Sequence, residues 1–587
     1  MIKGMRKPLL LAIALALTGE AVASDAAEDR KGPGANSSRE RMAGARLNIE
    51  GDPLYVYQWH LKNTGQKGFG DLLPVPGVDL NIGDLHDSGV RGAGVIVGIV
   101  DDGLEVHHED LAANVVFGGS KNFVDGSNDP TPTDARNAHG TNVAGVVAEV
   151  GWNGIGGRGV APEAHLKGFN FLDSSFVKSD VVLDSDENIR YAWGGGPEAA
   201  DVDVFVNSWS FAETFYSTKS REEQKSWERL MAATRHGLGG IYVKAAGNDY
   251  GEDAICPRAA ELGLGCISPN LDPFDNFIHT ITVAALDPDG RRSYYSLMGS
   301  SIWITGLGGG DGHEVAVGGS SPETEKDSWP GIVSTDLSGC DRGNANVRNS
   351  LDGGSSPLNP DCRYESAFSG TSAATPTVSG VVALMLGVSP HLTQRDVKYI
   401  LATTARWVDH DQPKVVYKDM VLDPGWITNA AGHRFSNWYG FGLVDASAAV
   451  DKARTFASLP AMQDTDWLSS DNSPVPIGLP NPRHVMHVDV QQDMKVETLQ
   501  FAFGTTHKNP ENLSAILTSP EGTKSYVLTP FANLKSRDGE GFDVSFSSSN
   551  AFLDESSHGL WTLEVVDVTG EPSDATLESF NLRIVGY

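Results

Sequence analysis

Five short, almost continuously apolar segments separated by stretches of helical periodicity constrain the fold of this chain more than any other feature. They are VIVGIV (95–100), HLKGFNFL (165–172), VDVFVNSWS (202–210), GIYVKAAGN (240–248) and IHTITVAAL (278–286). Strands that are apolar along nearly their whole length are buried on both faces, as in a parallel sheet covered by helices. We therefore predict an α/β domain with a mostly parallel, helix-covered sheet over residues 51–457.

The last part of the chain has a different pattern. From residue 458 to 587, short runs of alternating polarity such as VMHVDV (485–490) and TLEVVDV (562–568) are separated by turn residues, without a helical period. Such spacing is typical of an all-β sandwich. The sequence therefore predicts a second, separate domain at residues 458–587.

The N-terminus has the layout of an export signal. The cationic segment MIKGMRK is followed by the apolar run PLLLAIALAL and by small residues at 21–23. We predict a signal peptide at residues 1–23 and a polar arm or linker at 24–50, since about ten apolar residues are too few to span a membrane. No later run is longer, so we expect a protein without a membrane span, secreted to the medium or the periplasm.

Net charge and cysteine content further restrict the ligands and the disulfide bonds expected for this chain. The chain has 45 Lys and Arg against 76 Asp and Glu, a net charge of -31, which argues against nucleic-acid binding. Four cysteines in an exported chain suggest two disulfides. Three pairings are possible, and we favour the local pairs Cys256–Cys266 and Cys340–Cys362. The rival interpretation, a metal site of four thiolates, lacks the CxxC spacing of such sites.

Residues suited to nucleophilic catalysis follow or open several of the predicted elements. They are Asp101 and Asp102 after VIVGIV, Asn248 at the end of GIYVKAAGN, His139 at the start of HGTNVAGVVAEV, and Ser372 at the start of the helix SAATPTVSGVVALML. Singly, each is also an ordinary turn or helix-cap residue. Together they offer a hydroxyl, a base, an orienting carboxylate and an oxyanion donor, which serine chemistry requires. We expect Pro376 to lie in the first turn of its helix, where a missing N–H is tolerated.

The order of these motifs resembles that of the subtilisin superfamily. The segments are IVDDG, HGTNVAG, AAGN and SGTSAATP, in that sequence along the chain. Within the superfamily, IVDDGLEVHHEDL, LTSPEGT (517–523) and GLWTLEVVD (559–567) resemble the kexin and furin branch of proprotein convertases and its P domain. The resemblance implies a subtilisin-like domain followed by a jelly-roll P domain, in a bacterial secreted serine endopeptidase.

The resemblance also implies roles for the candidate residues. Ser372 would be the nucleophile, His139 the general base and then acid, and Asp101 the carboxylate that orients His139. The Asn248 side chain and the Ser372 backbone N–H would form the oxyanion hole. The expected reaction is peptide-bond hydrolysis through an acyl-enzyme intermediate.

Substrate specificity is likewise implied by the family. A polypeptide substrate would lie extended against Ser208 and Trp209, and cleavage would follow Arg or Lys because Asp272 lies at the base of the first pocket. Asp102 matches an acid of the second pocket. Arg136 stands where the family commonly has another acid, so we expect a weaker preference for a second basic residue.

A calcium ion is the expected cofactor. The family's tight site is matched by the carboxylates of Asp52 and Asp110 together with the loop VGWNGIG. That loop would contribute the carbonyls of Val150, Ile155 and Gly157 and the Asn153 side chain, and calcium prefers such hard oxygen ligands. Taken separately, Asp52 and Asp110 could instead be solvated surface acids.

Two further expectations concern folding and competing functions. The 24–50 segment is too short for the folded prosegment usual in subtilisin-like enzymes, so either the chain folds unaided or another protein supplies the template, and we favour a separate protein chaperone. An exported adhesin or carbohydrate-binding protein remains a competing interpretation, although all four chemical residue types are present. A lipase or esterase is disfavoured because FSGTSAA lacks the GxSxG spacing.

Overall fold

A computed structural model describes most of the chain beyond its N-terminal fifty residues. The described residues are 51–587 except 173–184, 212–215, 217–218, 251–254, 319–327, 345–347, 472, 479–484, 537–538, 540 and 572. The predicted signal peptide and arm therefore lie outside the described residues.

A seven-stranded parallel sheet forms the centre of the first domain, as the apolar segments predicted. Its strands are β1 (Ile96–Asp101), β2 (Lys121–Asn122), β3 (His165–Asn170), β4 (Val204–Asn207), β5 (Ile241–Ala245), β6 (Thr280–Leu286) and β7 (Ile302–Leu307). Their order is β2-β3-β1-β4-β5-β6-β7, with parallel pairing throughout. The carboxyl ends of β1, β4 and β5 are thus neighbours.

Helices cover the faces of this sheet. They are α1 (His139–Ala148), α2 (Ser185–Arg190), α3 (Arg221–Ala233), α4 (Pro257–Leu262), α5 (Val315–Gly318), α6 (Thr371–Val388), α7 (Gln394–Thr404) and α8 (Ala446–Thr455). The central helix α6 is buried along almost its whole length and packs against α1, α8 and strands β4 to β7. Within the described part of the chain it is the one helix long and apolar enough to cross a membrane, and it belongs to the core.

Small antiparallel pairs complete the first domain. They are β8 (Ile332–Thr335) with β9 (Tyr364–Phe368), β10 (Val415–Tyr417) with β11 (Met420–Asp423), and β12 (Ile427–Thr428) with β13 (Arg434–Phe435). The first pair packs on α1 and leads directly into the N-terminus of α6. It therefore helps to position the two helices that carry His139 and Ser372.

The second domain consists of two antiparallel sheets, which confirms the predicted all-β class. The six-stranded sheet contains β14 (Gln463–Asp464), β15 (Leu468–Ser469), β16 (Val475–Pro476), β18 (Val496–Thr505), β21 (Phe542–Ser549) and β23 (Thr576–Gly586). The four-stranded sheet has the order β17 (Val485–Val490), β22 (Gly559–Asp567), β19 (Leu513–Thr518) and β20 (Lys524–Leu528). In β17 buried and more exposed residues alternate, as expected for a strand with one face on a core.

Both favoured disulfides are present. Cys256 is bonded to Cys266 and Cys340 to Cys362, so none of the four cysteines is free. The short helix α4 lies between the first two cysteines. Because the thiols are consumed in these bonds, the four-thiolate metal site is excluded.

Candidate active site

Asp101 and His139 meet at the carboxyl edge of the sheet. Asp101 is the last residue of β1 and fully buried, whereas His139 is the first residue of α1 and keeps a quarter of its side chain exposed. Asp101 Oδ1 lies 2.8 Å from His139 Nδ1. Burial lowers the pKa of His139, but the neighbouring Asp101 outweighs burial and raises this pKa to about 9. The pair can therefore orient an imidazole and stabilise its protonated form.

Asp102 anchors the start of helix α1. Its Oδ1 accepts from the Gly140 N–H at 2.7 Å and its Oδ2 from the His139 N–H at 3.2 Å. A carboxylate at this position satisfies free N–H groups of the helix and complements the helix dipole. Burial, followed by the nearby Asp101 charge, raises the pKa of Asp102 to about 7. Asp102 lines the cleft described below, but only 2% of its surface is exposed.

Ser372 lies in the first turn of α6 and exchanges two hydrogen bonds with Ser208. The Ser372 hydroxyl donates to the Ser208 carbonyl at 3.0 Å, and the Ser208 hydroxyl donates to the Ser372 carbonyl at 3.0 Å. No hydrogen bond joins the Ser372 hydroxyl to His139, although both residues are described. Both nevertheless line the same cleft, and catalytic hydrogen bonds often tighten only when substrate is bound.

Pro376 explains why the Ser372 carbonyl is available to Ser208. The proline lies inside α6 and not in its first turn, so that expectation was wrong. In a regular helix the N–H of residue 376 would donate to the carbonyl of residue 372. Proline has no N–H, and Ser208 supplies the missing donor. The proline thus couples the segment around Ser208 to the start of α6.

Asn248 lies beside the start of the same helix. Its Oδ1 accepts from the Thr371 N–H and from the Thr371 hydroxyl, each at 2.9 Å. This fixes the side-chain amide so that Nδ2 is its remaining polar group. A side chain at Gly370, whose φ is +96°, would bring its Cβ to 3.1 Å from that Nδ2. Glycine therefore keeps the space next to the amide donor open.

One cleft brings these residues together. Its volume is about 450 Å³, and it is lined by Asp101, Asp102, His139, Leu172, Ser208, Trp209, Ser210, Ala245, Asn248, Tyr294, Asp311, Glu365, Phe368, Gly370 and Ser372, among others. The Phe368 ring meets the His139 ring edge-on, with centroids 5.6 Å apart. The cleft is therefore large enough for side chains of a polypeptide, and it places a hydroxyl, an imidazole, carboxylates and an amide around one space.

The two predicted substrate-contact residues Ser208 and Trp209 line this cleft. The Trp209 indole N–H donates to the Val100 carbonyl at 2.9 Å, which holds the ring against the end of β1. The segment after β4 therefore has a fixed conformation beside Ser372. It offers an edge on which an extended peptide could pair.

Asp272 does not take the predicted position facing a substrate. Only 1% of it is exposed, and it is not among the residues that line the cleft. Its Oδ2 accepts from Lys244 Nζ at 2.8 Å and from the Phe211 N–H at 3.1 Å. The expectation fails because a cation of the chain itself already pairs with this carboxylate.

The residues of the predicted calcium site also converge. The Asn153 amide donates to Asp110 Oδ1 at 2.6 Å, and Asp52 accepts from the backbone N–H groups of Trp152 and Asn153 at 2.8 and 3.0 Å. The loop that contains Val150, Ile155 and Gly157 thus wraps around both acids. Asp52 departs from the expectation of a carboxylate left for calcium, because Arg158 Nε pairs with its Oδ2 at 2.5 Å.

Sequence reasoning missed one acid of this cluster. Glu149 is fully buried beside Asp110, and its Oε1 has no hydrogen-bond partner among the described residues. Burial raises the pKa of Glu149 well above its usual value, and burial raises that of Asp110 to about 8. Asp52, Asp110 and Glu149 are all buried and only Asp52 pairs with Arg158, so this region is rich in the hard oxygen atoms that a divalent ion prefers. Among the described residues, however, no group of three or more His, Cys, Asp or Glu side chains is placed so that it could hold a metal ion by itself.

Comparisons with known proteins agree with this fold. The model of the Subtilase family (Peptidase S8) matches residues 92–442, and that of the proprotein convertase P-domain matches residues 496–584. The chain is 35% identical over 576 residues to the Aeromonas extracellular serine protease of Aeromonas sobria, covering 93% of this chain and 88% of that protein. It is 28% identical to Furin-1 of Xenopus laevis over 545 residues, covering 91% of this chain and 58% of that protein.

A solved structure gives the same result. The crystal structure of the Aeromonas sobria serine protease matches with a TM-score of 0.80 at 34% identity, covering 91% of this chain and 96% of that chain. A complex of that protease with its chaperone matches equally well, with a TM-score of 0.80 at 33% identity. The protein is therefore a serine endopeptidase with a subtilisin-like domain. It belongs to the subtilase family and carries a P domain of the proprotein convertase type.

Proposed function

We propose that this endopeptidase uses Ser372 as nucleophile, His139 as general base and acid, and Asp101 as the orienting carboxylate. The observation that carries the proposal is the 2.8 Å contact between Asp101 and His139 in the cleft that Ser372 also lines. Rotation of the Ser372 hydroxyl away from the Ser208 carbonyl would direct it towards the imidazole. His139 then takes the hydroxyl proton and later gives it to the leaving amine.

The oxyanion of the tetrahedral intermediate is assigned to two donors. They are Nδ2 of Asn248, whose other amide atom is held by Thr371, and the backbone N–H of Ser372 at the positive end of α6. Both donors are fixed before substrate arrives, because Asn248 is oriented by two hydrogen bonds. Preorganised donors of this kind stabilise developing charge without reorganisation.

Cleavage after basic residues, with a weaker dibasic preference, is the specificity we propose. The acids that line the cleft, Asp102, Asp311 and Glu365, support it, as does the resemblance to convertases. The net charge of -31 would also attract cationic substrates. Asp272 is not part of this support, because it faces Lys244.

Calcium is proposed as a structural ion. Asp52, Asp110, Glu149 and the Asn153 side chain would hold it, with backbone carbonyls of the loop at residues 150–157. Bound there, the ion would neutralise buried carboxylates and fix this loop to the core. The orphaned Glu149 Oε1 supports this proposal.

Secretion and assisted folding complete the proposal. The relative from Aeromonas sobria is named an extracellular protease, and the signal-like N-terminus here agrees with export through a cleaved signal peptide. The structure of that relative with a chaperone supports a separate folding partner for this chain. Refolding the purified chain alone tests this point, since full recovery of activity without another protein would contradict it.

Covalent labelling tests the catalytic assignment. A fluorophosphonate probe should label the wild-type protein at Ser372, and labelling should be absent in Ser372→Ala. A second variant, Ser210→Ala, removes another cleft-lining hydroxyl that has no assigned role and should be labelled as fast as the wild type. Labelling of Ser372→Ala at the wild-type rate would refute Ser372 as the nucleophile.

A further inference from the structure

Lys244 is a fully buried cation directly behind the floor of the cleft. It lies in β5 immediately before Ala245, which lines the cleft. Its Nζ lies 2.8 Å from Asp272 Oδ2 and 3.3 Å from Asp275 Oδ2, and it donates to the Ala245 carbonyl at 3.3 Å. A lysine buried to this degree is stable only when it is paired in this way.

The ion cluster touches both segments that form the floor beside Ser372. On one side, Lys244 Nζ lies 5.1 Å from the centre of the Trp209 ring, and Asp272 accepts from the Phe211 N–H. On the other side, the same Nζ contacts the Ala245 carbonyl, three residues before Asn248. A substrate side chain that enters between these segments therefore points towards Asp272 and Asp275, and meets a position that Lys244 already fills.

Lys244 pairs with both acids of the cluster. Burial raises the pKa of Asp275 well above its usual value, which favours its neutral form. Burial lowers the pKa of Lys244, but Asp272 and Asp275 outweigh burial and raise it, which favours the ammonium. Lys244 Nζ lies in hydrogen-bond contact with Asp272 Oδ2. The cation that a basic substrate side chain would bring to these two acids is therefore already supplied by Lys244.

We propose that Lys244 is a specificity-determining residue that limits the preference for a basic side chain before the scissile bond, by occupying the site at which Asp272 and Asp275 would otherwise bind it. The proposal rests on the proposed function of the cleft. It assigns no chemical step to Lys244, whose effect is electrostatic and steric. Among the described residues, the remaining basic preference would depend on the acids that line the cleft.

Two matched peptide-coumarin substrates, identical except for Arg or its neutral isostere citrulline before the cleaved bond, test this in the wild-type enzyme. A hydrogen-bonded charge pair in the pocket would favour Arg by a factor on the order of 100 or more. We expect the kcat/KM ratio of Arg to citrulline to stay below about tenfold, since Asp272 and Asp275 are already paired with Lys244. Any larger ratio would overturn the proposal, and this measurement needs no variant that has to fold.

The Lys244→Met variant extends the test. Methionine keeps the length of the side chain and removes the charge, so the Arg to citrulline ratio should rise about tenfold or more over the wild type. The control Lys244→Met/Asp272→Asn/Asp275→Asn removes the ammonium and both carboxyl groups and should return the ratio to the wild-type value. An unchanged ratio in folded Lys244→Met contradicts the proposal. Fluorophosphonate labelling reports separately on Ser372, so failure of the catalytic assignment is distinguished from failure of this one.

Discussion

Arg583 of the β domain donates to Glu228 of the catalytic domain, with 2.8 Å between Arg583 Nη1 and Glu228 Oε2. The two side chains are 4% and 6% exposed. Gln500 on β18 joins them, because its Oε1 accepts from Arg583 at 3.0 Å. The two domains are thus connected by a buried polar network as well as by apolar contact.

Breaking this pair should destabilise the protein. Glu228→Ala leaves Arg583 buried with Asp464 as its remaining acidic partner, and removing one partner of a buried pair typically costs about 3 kcal/mol or more. Chemical denaturation should show this loss in the free energy of unfolding. Glu261→Ala is the control, because its pair with Arg258 lies on the surface and should contribute nothing measurable.

Removing the β domain should have a larger effect. The Asn270 amide donates to the Ser547 hydroxyl at 2.8 Å and to the Ser548 carbonyl at 2.9 Å, and all three residues are buried. A chain of residues 24–457 would leave this interface unpaired and exposed. We expect an insoluble or inactive product when it is expressed alone. A soluble truncation with full activity would contradict the stabilising role of the β domain.

Losing the Asn248 donor should lower kcat by about 100- to 1000-fold with little change in KM. Asn248→Asp is the more informative variant, because a carboxylate keeps an acceptor for Thr371 but presents an oxygen to the oxyanion. Steady-state kinetics on one peptide substrate measure both parameters. If Asn248→Asp retained wild-type kcat, Nδ2 would not be an oxyanion donor.

Activity should increase with pH into the alkaline range. The general base must be unprotonated, and Asp101 raises the pKa of His139 to about 9 against the effect of burial. Below this pKa the active fraction falls tenfold per pH unit, so kcat/KM should rise from pH 7, reach half its maximum near pH 9 and level off above it. A pH profile of kcat/KM in the free enzyme measures this value. Asp101→Asn should shift this rise in kcat/KM to lower pH and remove most of the activity, because the partner that raises the pKa of His139 is lost.

Removing calcium should lower the stability of the folded protein, because the ion proposed to bind at Asp110 would be lost. An ion present at one hundred times its dissociation constant stabilises the folded state by about 2.7 kcal/mol, so a chelator should lower the unfolding temperature. Asp110→Asn should lose most of this response. Asp84→Asn, which changes an exposed acid, should respond like the wild type. An equal response in Asp110→Asn would remove Asp110 from the proposed site.

Much of the fold could be predicted because it is determined by patterns within short stretches of the sequence. The buried strands of the sheet were recognisable from apolar runs, and the site residues follow strand ends or open helices, where an α/β fold brings them to one edge. The disulfides also joined cysteines close in sequence. These features depend on short stretches of chain.

Lys244 and Glu149 could not be assigned in the same way. Each is a charged residue inside an otherwise apolar segment, which signals a buried partner but does not identify it. The partners, Asp272 for Lys244 and Asp110 beside Glu149, are brought in by distant loops. The position of Pro376 was predicted wrongly because a proline inside α6 depends on Ser208, which lies far away in the sequence, just after β4, and donates to the Ser372 carbonyl.

Without substrate, the Ser372 hydroxyl donates to the Ser208 carbonyl, which is an acceptor that a bound peptide backbone would also use. A strand added along Ser208 presents an N–H to the carbonyl that now accepts from the Ser372 hydroxyl. The incoming backbone competes with the hydroxyl for this oxygen and releases it towards the imidazole. Binding of the peptide would thus also free the Ser372 hydroxyl for attack. Water in an empty cleft would meet a hydroxyl that is still hydrogen-bonded to the Ser208 carbonyl.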